Sequence, residues 1–346
     1  MTLWIRRADL LRDRRPLIDF FRQFLTPNSD DRRFDWLYLQ NLHGPARVWL
    51  AEERDAGEII GAAAAFPRRF SFRGEECMGF ILGDFCLHPR YRSLGPAVQL
   101  QRACLEQVAS KGDSIVLDFP SEGMLAVYKR LRLELQGRMI RLAKPLRTDR
   151  KVAEIVKSRM IARGISAVGN TMLGWRDQWP SSQLSAELAL HQGPCEEEFS
   201  MLAAKIPIEG TLCTVRTAAY LNWRFLAHPS AGFEILTARR DGILVGYLIF
   251  AQDRGDGRIA DLMGINDTDL LRSLIARAVQ LLRERGVMTV SAAIAASHPL
   301  VHLFETMGFH RRDSCAVLFW TPIAASADSE KKPAIGCFLM DGDRDS

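Results

Sequence analysis

The alternation of apolar and polar positions divides the first part of the chain into strands and helices. Apolar residues such as Leu17, Phe20 and Phe24 recur at helical spacing, whereas short runs rich in Val, Ile and Phe predict strands. The predicted order is strand 3–6, helix 10–24, strands 48–52, 59–68 and 78–87, helix 95–110, strand 114–119, helix 123–131 and strand 136–143. This order predicts an α+β fold with a mixed, mostly antiparallel twisted sheet that is flanked by helices.

Two stretches of the chain resemble each other. Trp36 begins an aromatic segment and two short strands that lead to Gly61, and Trp223 begins a similar segment that leads to Gly246. The two tryptophans are 187 residues apart and the two glycines 185, so one turn differs by two residues. The ends of the copies also match, as short helices at residues 125–131 and 301–307. A repeat of this length indicates a duplicated domain rather than a solenoid.

The length of 346 residues accommodates two domains. We expect a first domain at residues 1–148, a linker at 149–184, a second domain at 185–323 and a polar tail at 324–346. The second domain is predicted to contain a strand at 186–191 and helices at 196–205 and 267–285. Because the tail is polar, we expect it to be loosely held, although residues 335–340 could dock.

Composition and charge exclude several classes of protein. Hydrophobic residues make up 47% of the chain and charged residues 25%, which is ordinary for a globular protein. The net charge of +5 comes from scattered arginines, which makes nucleic acid an unlikely ligand and suits an anionic cofactor equally well. The longest apolar run is too short for a membrane span, so we expect a cytoplasmic protein. The seven cysteines form no CxxC pair and predict reduced, buried thiols.

A short basic loop joins a predicted strand to a predicted helix in the first copy. The strand ends at Leu87, Arg90 and Arg92 follow, and the helix opens at Gly95. The first N–H groups of a helix lack partners and carry the positive end of its dipole, so they can hold a phosphate. Gly95 lets the backbone approach a ligand closely. Pro96 suits the first turn of a helix but removes one N–H donor.

This loop resembles the pyrophosphate-binding motif of the GNAT acyltransferases, in which Arg or Gln is followed after two residues by Gly and, two residues later, by Gly or Ala. The matching segment is Arg92-Ser93-Leu94-Gly95-Pro96-Ala97. The resemblance covers the first copy and, more faintly, the second. It implies two tandem GNAT-like domains, with acetyl-CoA or another acyl-CoA as co-substrate. In that family the pantetheine arm pairs with the strand before the loop, which corresponds here to the backbone of Phe85, Cys86 and Leu87.

The resemblance also suggests catalytic residues. A tyrosine in the helix before the last strands commonly protonates the departing thiolate in these enzymes, and the matching residue is Tyr128. A tyrosine that only packs in the core is the alternative. The candidate base for the acceptor amine is Asp84, for which a structural hydrogen-bond acceptor is the alternative. His88 and Glu122 are weaker candidates, and many such enzymes use a chain of water molecules instead.

The second copy lacks these features. Residues 265–269 contain no arginine, and two aspartates there would repel a pyrophosphate. Asp267 or Thr268 is instead a natural helix N-cap. Phe304 stands where the first copy has Tyr128. We therefore expect no CoA in the second copy, which would shape the acceptor site or support the first copy.

No metal site is expected from the histidines. His298 and His302 could share one helix face, but Pro299 lies between them and no third ligand is placed nearby. The leading interpretation is an N-acyltransferase that moves an acyl group, expected to be acetyl, directly from acyl-CoA to a small amine or an amino sugar. Two alternatives stay open: a non-catalytic protein that binds acyl-CoA, and an aminoacyl-tRNA-dependent transferase, which also pairs two GNAT-like domains.

Overall fold

The computed structural model describes residues 3–53, 57–109, 115–147, 149, 186–206, 211–230, 232–320 and 336–345. Its first copy has strands β1 Trp4–Arg7, β2 Arg47–Glu52, β3 Ile59–Phe72, β4 Glu75–Leu87, β5 Ile115–Asp118 and β6 Leu135–Pro145. The helices of this copy are α1 Arg14–Phe24, α2 Asp31–Phe34, α3 Leu94–Ala109 and α4 Glu122–Arg130. The predicted order of elements is confirmed, with α2 as an addition that is too short to show helical periodicity.

The second copy repeats this order with two additional strands, β8 and β14. Its strands are β7 Glu187–Leu190, β8 Thr211–Thr214, β9 Phe233–Arg240, β10 Ile243–Asp253, β11 Asp256–Gly264, β12 Thr289–Ala295, β13 His310–Trp320 and β14 Gly336–Phe338. Its helices are α5 Glu197–Lys205, α6 Ala218–Leu221, α7 Thr268–Glu284 and α8 Val301–Thr306. The α+β class and the two tandem copies are therefore confirmed. The expected linker at 149–184 lies outside the described residues apart from Asp149.

The two copies share one sheet because they exchange their last strands. The strand order is β1-β2-β3-β4-β5-β13-β6-β12-β11-β10-β9-β7. Thus β13 of the second copy pairs with β5 of the first, and β6 of the first copy pairs with β12 of the second. The predicted strand at 136–143 is present as β6, but both of its neighbours, β12 and β13, belong to the second copy. Periodicity identifies a strand but not its partner, which is a long-range choice.

A pair of tryptophans marks the centre of this arrangement. Trp36 and Trp223 lie in matching π-helical turns, Asp35–Leu39 and Asn222–Leu226, and their rings stack with centroids 5.2 Å apart. Each indole N–H donates to the backbone carbonyl of the other tryptophan, at 2.8 and 3.2 Å. The residues that revealed the repeat in the sequence therefore contact each other across an approximate two-fold axis.

One apolar core joins the copies. The largest buried cluster contains residues of both copies, including Tyr38 and Phe66 from the first and Phe225 and Tyr247 from the second. Large hydrophobic interfaces of this kind hold two domains in a fixed relation. The first copy and the second therefore share one hydrophobic core as well as one sheet.

Of the expected polar tail at 324–346 the structure describes residues 336–345, and these are held against the core, including most of the stretch 335–340 that was expected to be able to dock. Strand β14 pairs in parallel with β8, and Ala295 N–H donates to the carbonyl of Leu339 at 2.9 Å. Asp343 and Asp345 are buried among arginines. The composition suggested a solvated tail because aspartates are polar, but each of these two aspartates is paired with a buried arginine.

None of the described helices is long and apolar enough to cross a membrane.

Candidate active site

An opening in the sheet lies between β4 and β5. These strands are parallel and pair only where Gly79–Ile81 meets Ile115–Leu117; β4 then continues to Leu87, whereas β5 ends at Asp118. Just past the paired stretch, β4 has a bulge opposite Ala63, and Asp84 there takes a left-handed backbone conformation with φ of 45°. Bulges bend a strand and strengthen its twist, so β4 turns away from β5.

The opening leads into a cavity of about 400 Å³. Its walls are mostly apolar side chains from the end of α1, the end of β4 and the first half of α4, among them Phe24, Leu25, Met124 and Val127. Seven of the nine residues that the sequence assigned to cofactor binding line it: Phe85, Cys86, Leu87, Arg92, Ser93, Leu94 and Ala97. The structure therefore brings the predicted residues together around one cavity.

The loop after β4 turns through a short 3₁₀ helix, Pro89–Tyr91, before α3 begins. Arg92 is anchored by its Nε, which donates to the carbonyl of Leu87 at 3.4 Å. Gly95 and Pro96 lie in the first turn of α3. Apart from its own helix and chain neighbours, a Cβ at Gly95 would meet no heavy atom of the described residues within 4 Å, so the space beside Gly95 at the start of α3 is open. The buried thiol of Cys86 has a raised pKa because of desolvation, which makes it a poor nucleophile.

Asp84 is held in a buried ion pair. Arg33 on α2 donates to both of its carboxylate oxygens, at 2.7 and 2.9 Å, and the Tyr38 hydroxyl donates a third hydrogen bond. Burial lowers the pKa of Arg33, but the charge of Asp84 outweighs it and the net shift is upward. A carboxylate with three donors is committed to them, so a role as base requires Asp84 to give up part of this pairing.

The second copy holds an aspartate in the same place. Gly61 pairs with Leu87 and Gly246 pairs with Gly264, so the residues three positions earlier, Asp84 and Asp261, correspond. Asp261 likewise accepts from an arginine, Arg216, at 2.9 and 3.1 Å, and from a tyrosine hydroxyl, that of Tyr247, at 3.1 Å. The recurrence of this set in a copy without the basic loop favours a structural role for both aspartates.

Tyr128 lies behind the cavity wall. Its side chain is buried, its hydroxyl donates to Asp118, and Gln101 Nε2 donates to it at 3.3 Å. Val127 lines the cavity, whereas Tyr128 does not. Desolvation, together with the charge of Asp118, raises the pKa of the phenol above its usual range.

Asp118 is a functional candidate that the sequence reasoning missed. It ends β5, is 9% exposed and accepts from the Phe119 N–H at 2.7 Å as well as from Tyr128. Desolvation raises its pKa to about 7, and the bond from Tyr128 opposes that shift only in part. The available signal was a single acid at the end of an otherwise apolar strand. The weaker candidates lie at the edge: Glu122 is exposed, and the Nδ1 of His88 accepts from the N–H of Arg90 at 3.2 Å.

Comparison with known proteins identifies the first copy. Residues 16–134 match the family model described as an acetyltransferase (GNAT) domain. The first copy is a GNAT domain. No curated protein matches the chain in sequence.

Solved structures extend the likeness to the tandem arrangement. A probable N-acyltransferase from Enterococcus faecalis has a TM-score of 0.62 at 12% identity, covering 93% of this chain and 72% of that one. A GCN5-related N-acetyltransferase from Anabaena variabilis has 0.63 at 14%, covering 92% and 72%. Saccharomyces cerevisiae N-myristoyltransferase with bound myristoyl-CoA has 0.59 at 13%, covering 92% and 79%. Because each alignment spans nearly the whole chain, the chain has a tandem GNAT fold.

The ends of the two GNAT copies correspond as the sequence suggested. The turn after the last helix is Gly308-Phe309 in the second copy and Arg132-Leu133 in the first. Gly308 has φ of 83° and Arg132 has φ of 57°, so the arginine adopts the left-handed conformation that the glycine provides. The unusual residue therefore leaves the turn intact.

The second GNAT copy fills both parts of its own cleft. At the start of α7 the Asp267 carboxylate accepts from the N–H groups of Asp269 and Leu270, both at 3.0 Å, and also pairs with Arg240. Hydrogen bonding to Arg240 lowers the pKa of Asp267, so a carboxylate already occupies the anion position. The predicted N-cap at Asp267 is confirmed.

The chain terminus occupies the rest of this cleft. Strands β11 and β12 pair over Asp256–Ile259 and Thr289–Ala292 and then separate, as β4 and β5 do. Into that gap comes the end of the chain, where Met340 bridges to Ile294 on β12 and Gly342 packs close to the backbone of Ala260 on β11. Within the described residues, no group of three or more His, Cys, Asp or Glu side chains is placed to hold a metal ion.

Proposed function

We propose that the protein is an N-acyltransferase whose first GNAT copy binds an acyl-CoA and transfers the acyl group to an amine. The observation that supports this most is the difference between two equivalent clefts. The first is an open, mostly apolar cavity that ends at Arg92 and the free start of α3. The second is filled by Asp267 and by residues 339–342. Because the chain fills the second cleft with its own residues and leaves the first open, we expect one acyl-CoA site per chain, in the first copy.

The proposed binding mode follows from the walls of the cavity. The diphosphate would lie at the first turn of α3, where the N–H groups of Leu94 and Gly95, the helix dipole and Arg92 favour anions. The pantetheine arm would run along Phe85, Cys86 and Leu87, which continue β4 beyond its paired stretch with β5. The acyl group would then lie among Phe24, Leu25 and other apolar side chains of the wall.

In the proposed reaction the amine nitrogen attacks the thioester carbonyl, the bond from carbon to sulfur breaks, and coenzyme A leaves as a thiolate. Tyr128 is the proposed proton donor to that thiolate. The tyrosinate would regain a proton from the acid form of Asp118, and Asp118 would regain one from the water that takes the proton of the amine. This role requires the phenol hydroxyl to turn from Asp118 toward the cavity. Because Asp84 is committed to Arg33 and Tyr38, we propose that the attacking amine loses its proton to water and that Asp84 fixes the shape of the bulge.

A second candidate function is acyl-CoA binding without turnover. The specific observation that favours it is the position of Tyr128, whose hydroxyl is buried between Asp118 and Gln101 instead of facing the cavity. The two candidate functions can be distinguished by whether free coenzyme A is formed. An enzyme releases free coenzyme A in the presence of an amine, whereas a binding protein returns the acyl-CoA unchanged.

The test is an assay of acyl transfer with acetyl-CoA and a long-chain acyl-CoA against a panel of amines and amino sugars, with acylated product measured by mass spectrometry. Wild type and the variant Asn266→Val should form product, because Asn266 is an exposed residue of the filled cleft. Gly95→Val should form none, since its side chain would enter the open space before α3. Product formation by Gly95→Val equal to that of wild type would refute the assignment of the cleft.

A further inference from the structure

A second cavity, of about 440 Å³, lies between β6, β12, β13 and the end of the chain. Its walls carry three arginines. Arg141 is paired with Asp313 at 2.6 to 3.1 Å, and Arg258 lies 3.6 Å from Asp341. Each of these two arginines therefore has a carboxylate beside it. The third arginine, Arg344, differs from them in the hydrogen bonds of its guanidinium.

Arg344 lacks an acceptor for part of its guanidinium. Its Nε is buried and has no hydrogen-bond partner among the described residues. The guanidinium carbon lies 5.6 Å from the centroid of the Phe119 ring, so one face of the group is covered by an aromatic side chain. A planar guanidinium offers a fork of donors that matches the two oxygens of a carboxylate or a phosphate.

The residues on either side hold Arg344 in this position. Asp343 accepts from Arg216 at 2.9 Å, and Asp345 accepts from Arg68 at 2.6 and 2.7 Å, with all four side chains buried. Arg344 itself has an extended backbone, with φ of −92° and ψ of 132°. Asp343 ends the short 3₁₀ helix Asp341–Asp343, so the buried pairs before and after Arg344 fix the backbone from which its side chain extends.

This arginine also borders the candidate active site. Phe119, which it covers, follows Asp118 in the chain, and Ser121 two residues later lines the acyl-CoA cavity. Desolvation raises the pKa of Asp118, and the positive charge of Arg344 is near enough to oppose that shift. The short segment 118–121 therefore contacts Arg344 through Phe119 and lines the cavity of the first copy through Ser121.

We infer that Arg344 and the cavity around it bind an anionic group of the acceptor, so that the amine to be acylated also carries a carboxylate or a phosphate. This inference rests on the proposed transfer from the first GNAT copy. It also gives the buried end of the chain a function. The pairs Asp343 with Arg216 and Asp345 with Arg68 would hold the Arg344 guanidinium beside the site where the amine reacts. Neutral amines of the same size are then poor acceptors.

The experiment is calorimetric titration of the CoA-saturated protein with two matched pairs of amines. One pair is leucine and 3-methylbutylamine, and the other is phosphoethanolamine and ethanolamine, so that the two sources of anionic oxygen are separated. The variant is Arg344→Gln, and the control is Arg12→Gln, which removes a side chain that is 77% exposed. Circular dichroism and CoA affinity show that each variant is folded.

Wild type and the control should bind the anionic member of at least one pair roughly 10- to 100-fold more tightly than its neutral partner, as expected for hydrogen bonds to a charged group. Arg344→Gln should lose that preference and keep its CoA affinity. Equal binding within both pairs, no binding of any of the four amines, or an intact preference in Arg344→Gln would each overturn the inference. An anion preference that depends on Arg344 in a protein that binds no CoA would support the subsite and contradict the proposed acyl transfer.

Discussion

Replacement of Asp345 by alanine should destabilise the whole protein, although Asp345 is the second residue from the end of the chain. Its carboxylate is 1% exposed and accepts two hydrogen bonds from Arg68, which is 0% exposed and lies on β3 of the first copy. The guanidinium of Arg68 also donates to the Tyr220 hydroxyl at 2.8 Å and lies 5.1 Å from the centroid of the Trp223 ring. Removal of the carboxylate leaves a buried cation whose charge is not balanced.

The expected loss follows from the energetics of buried ion pairs. Removal of one partner costs about 3–5 kcal/mol, because the remaining charge stays desolvated. A residue at the end of a chain ordinarily costs almost nothing to change. The matched control is Asp313→Ala, which breaks an exposed pair with Arg141 and should cost less than about 1 kcal/mol.

The assay is urea unfolding followed by tryptophan fluorescence and by circular dichroism, for wild type, Asp345→Ala and Asp313→Ala. The double variant Arg68→Met with Asp345→Leu should recover most of the loss, since an apolar pair replaces a buried ionic one at little cost. A loss below about 1 kcal/mol for Asp345→Ala would refute the view that the end of the chain is part of the core. Equal losses for Asp345→Ala and Asp313→Ala would refute it as well.

Three further predictions concern catalysis, pH and the division of the chain. Tyr128→Phe should lower the rate of acyl transfer and leave acyl-CoA affinity nearly unchanged; full retained activity would remove Tyr128 from the mechanism. The folded-state pKa of Asp118, about 7, lies above the usual value for Asp, so the folded protein holds this proton more tightly than the unfolded chain. The stability that this proton contributes is fully present at low pH and is lost as pH rises through about 7. Asp118→Asn should therefore gain stability relative to wild type as pH rises from 5 to 8, by on the order of 1 kcal/mol per pH unit in the lower part of that range. Unfolding free energies of the two proteins that differ by the same amount at every pH would contradict this. The fragment 1–148 should fail to form a cooperative fold, because it lacks β13 and leaves the edge of β5 unpaired; a sharp unfolding transition of the isolated fragment would show that the exchanged strand is dispensable.

The local parts of the site could be predicted from the sequence. Loop 88–93 lies between a strand and a helix that are adjacent in the chain, so periodicity and the positions of Arg92 and Gly95 were enough to locate it. The duplication was detectable for the same reason, because Trp36 and Trp223 begin matching local patterns. Hydrophobic patterns report the secondary structure of a segment within about ten to twenty residues.

The remaining features depend on pairings between distant residues. Arg33 and Asp84 are 51 residues apart, and Arg68 and Asp345 are 277 apart. The residues next to either aspartate in the sequence do not identify its partner arginine, so Asp84 could be considered as a base and the end of the chain as a loose tail. The exchange of β6 and β13 is missed for the same physical reason: a strand pattern is satisfied equally by either partner.

The proposed site roles of Tyr128 and Asp84 stay predictions. Both residues lie where the sequence placed them, on α4 and on β4, and both have partners that the sequence did not reveal. For Tyr128 that partner is Asp118, and for Asp84 it is Arg33. Their roles depend on whether these hydrogen bonds change when acyl-CoA occupies the cavity, which a substitution at each position tests.

The most direct test of the account is the number and location of acyl-CoA sites on the chain. Calorimetric titration with acetyl-CoA and with a long-chain acyl-CoA should give one site per chain for wild type. That site should persist in Asn266→Val and disappear in Gly95→Val, while circular dichroism shows both variants to be folded. Two sites per chain, or undiminished binding by Gly95→Val, would contradict the assignment of one open cleft and one filled cleft, and absence of binding to wild type would contradict the proposed function itself.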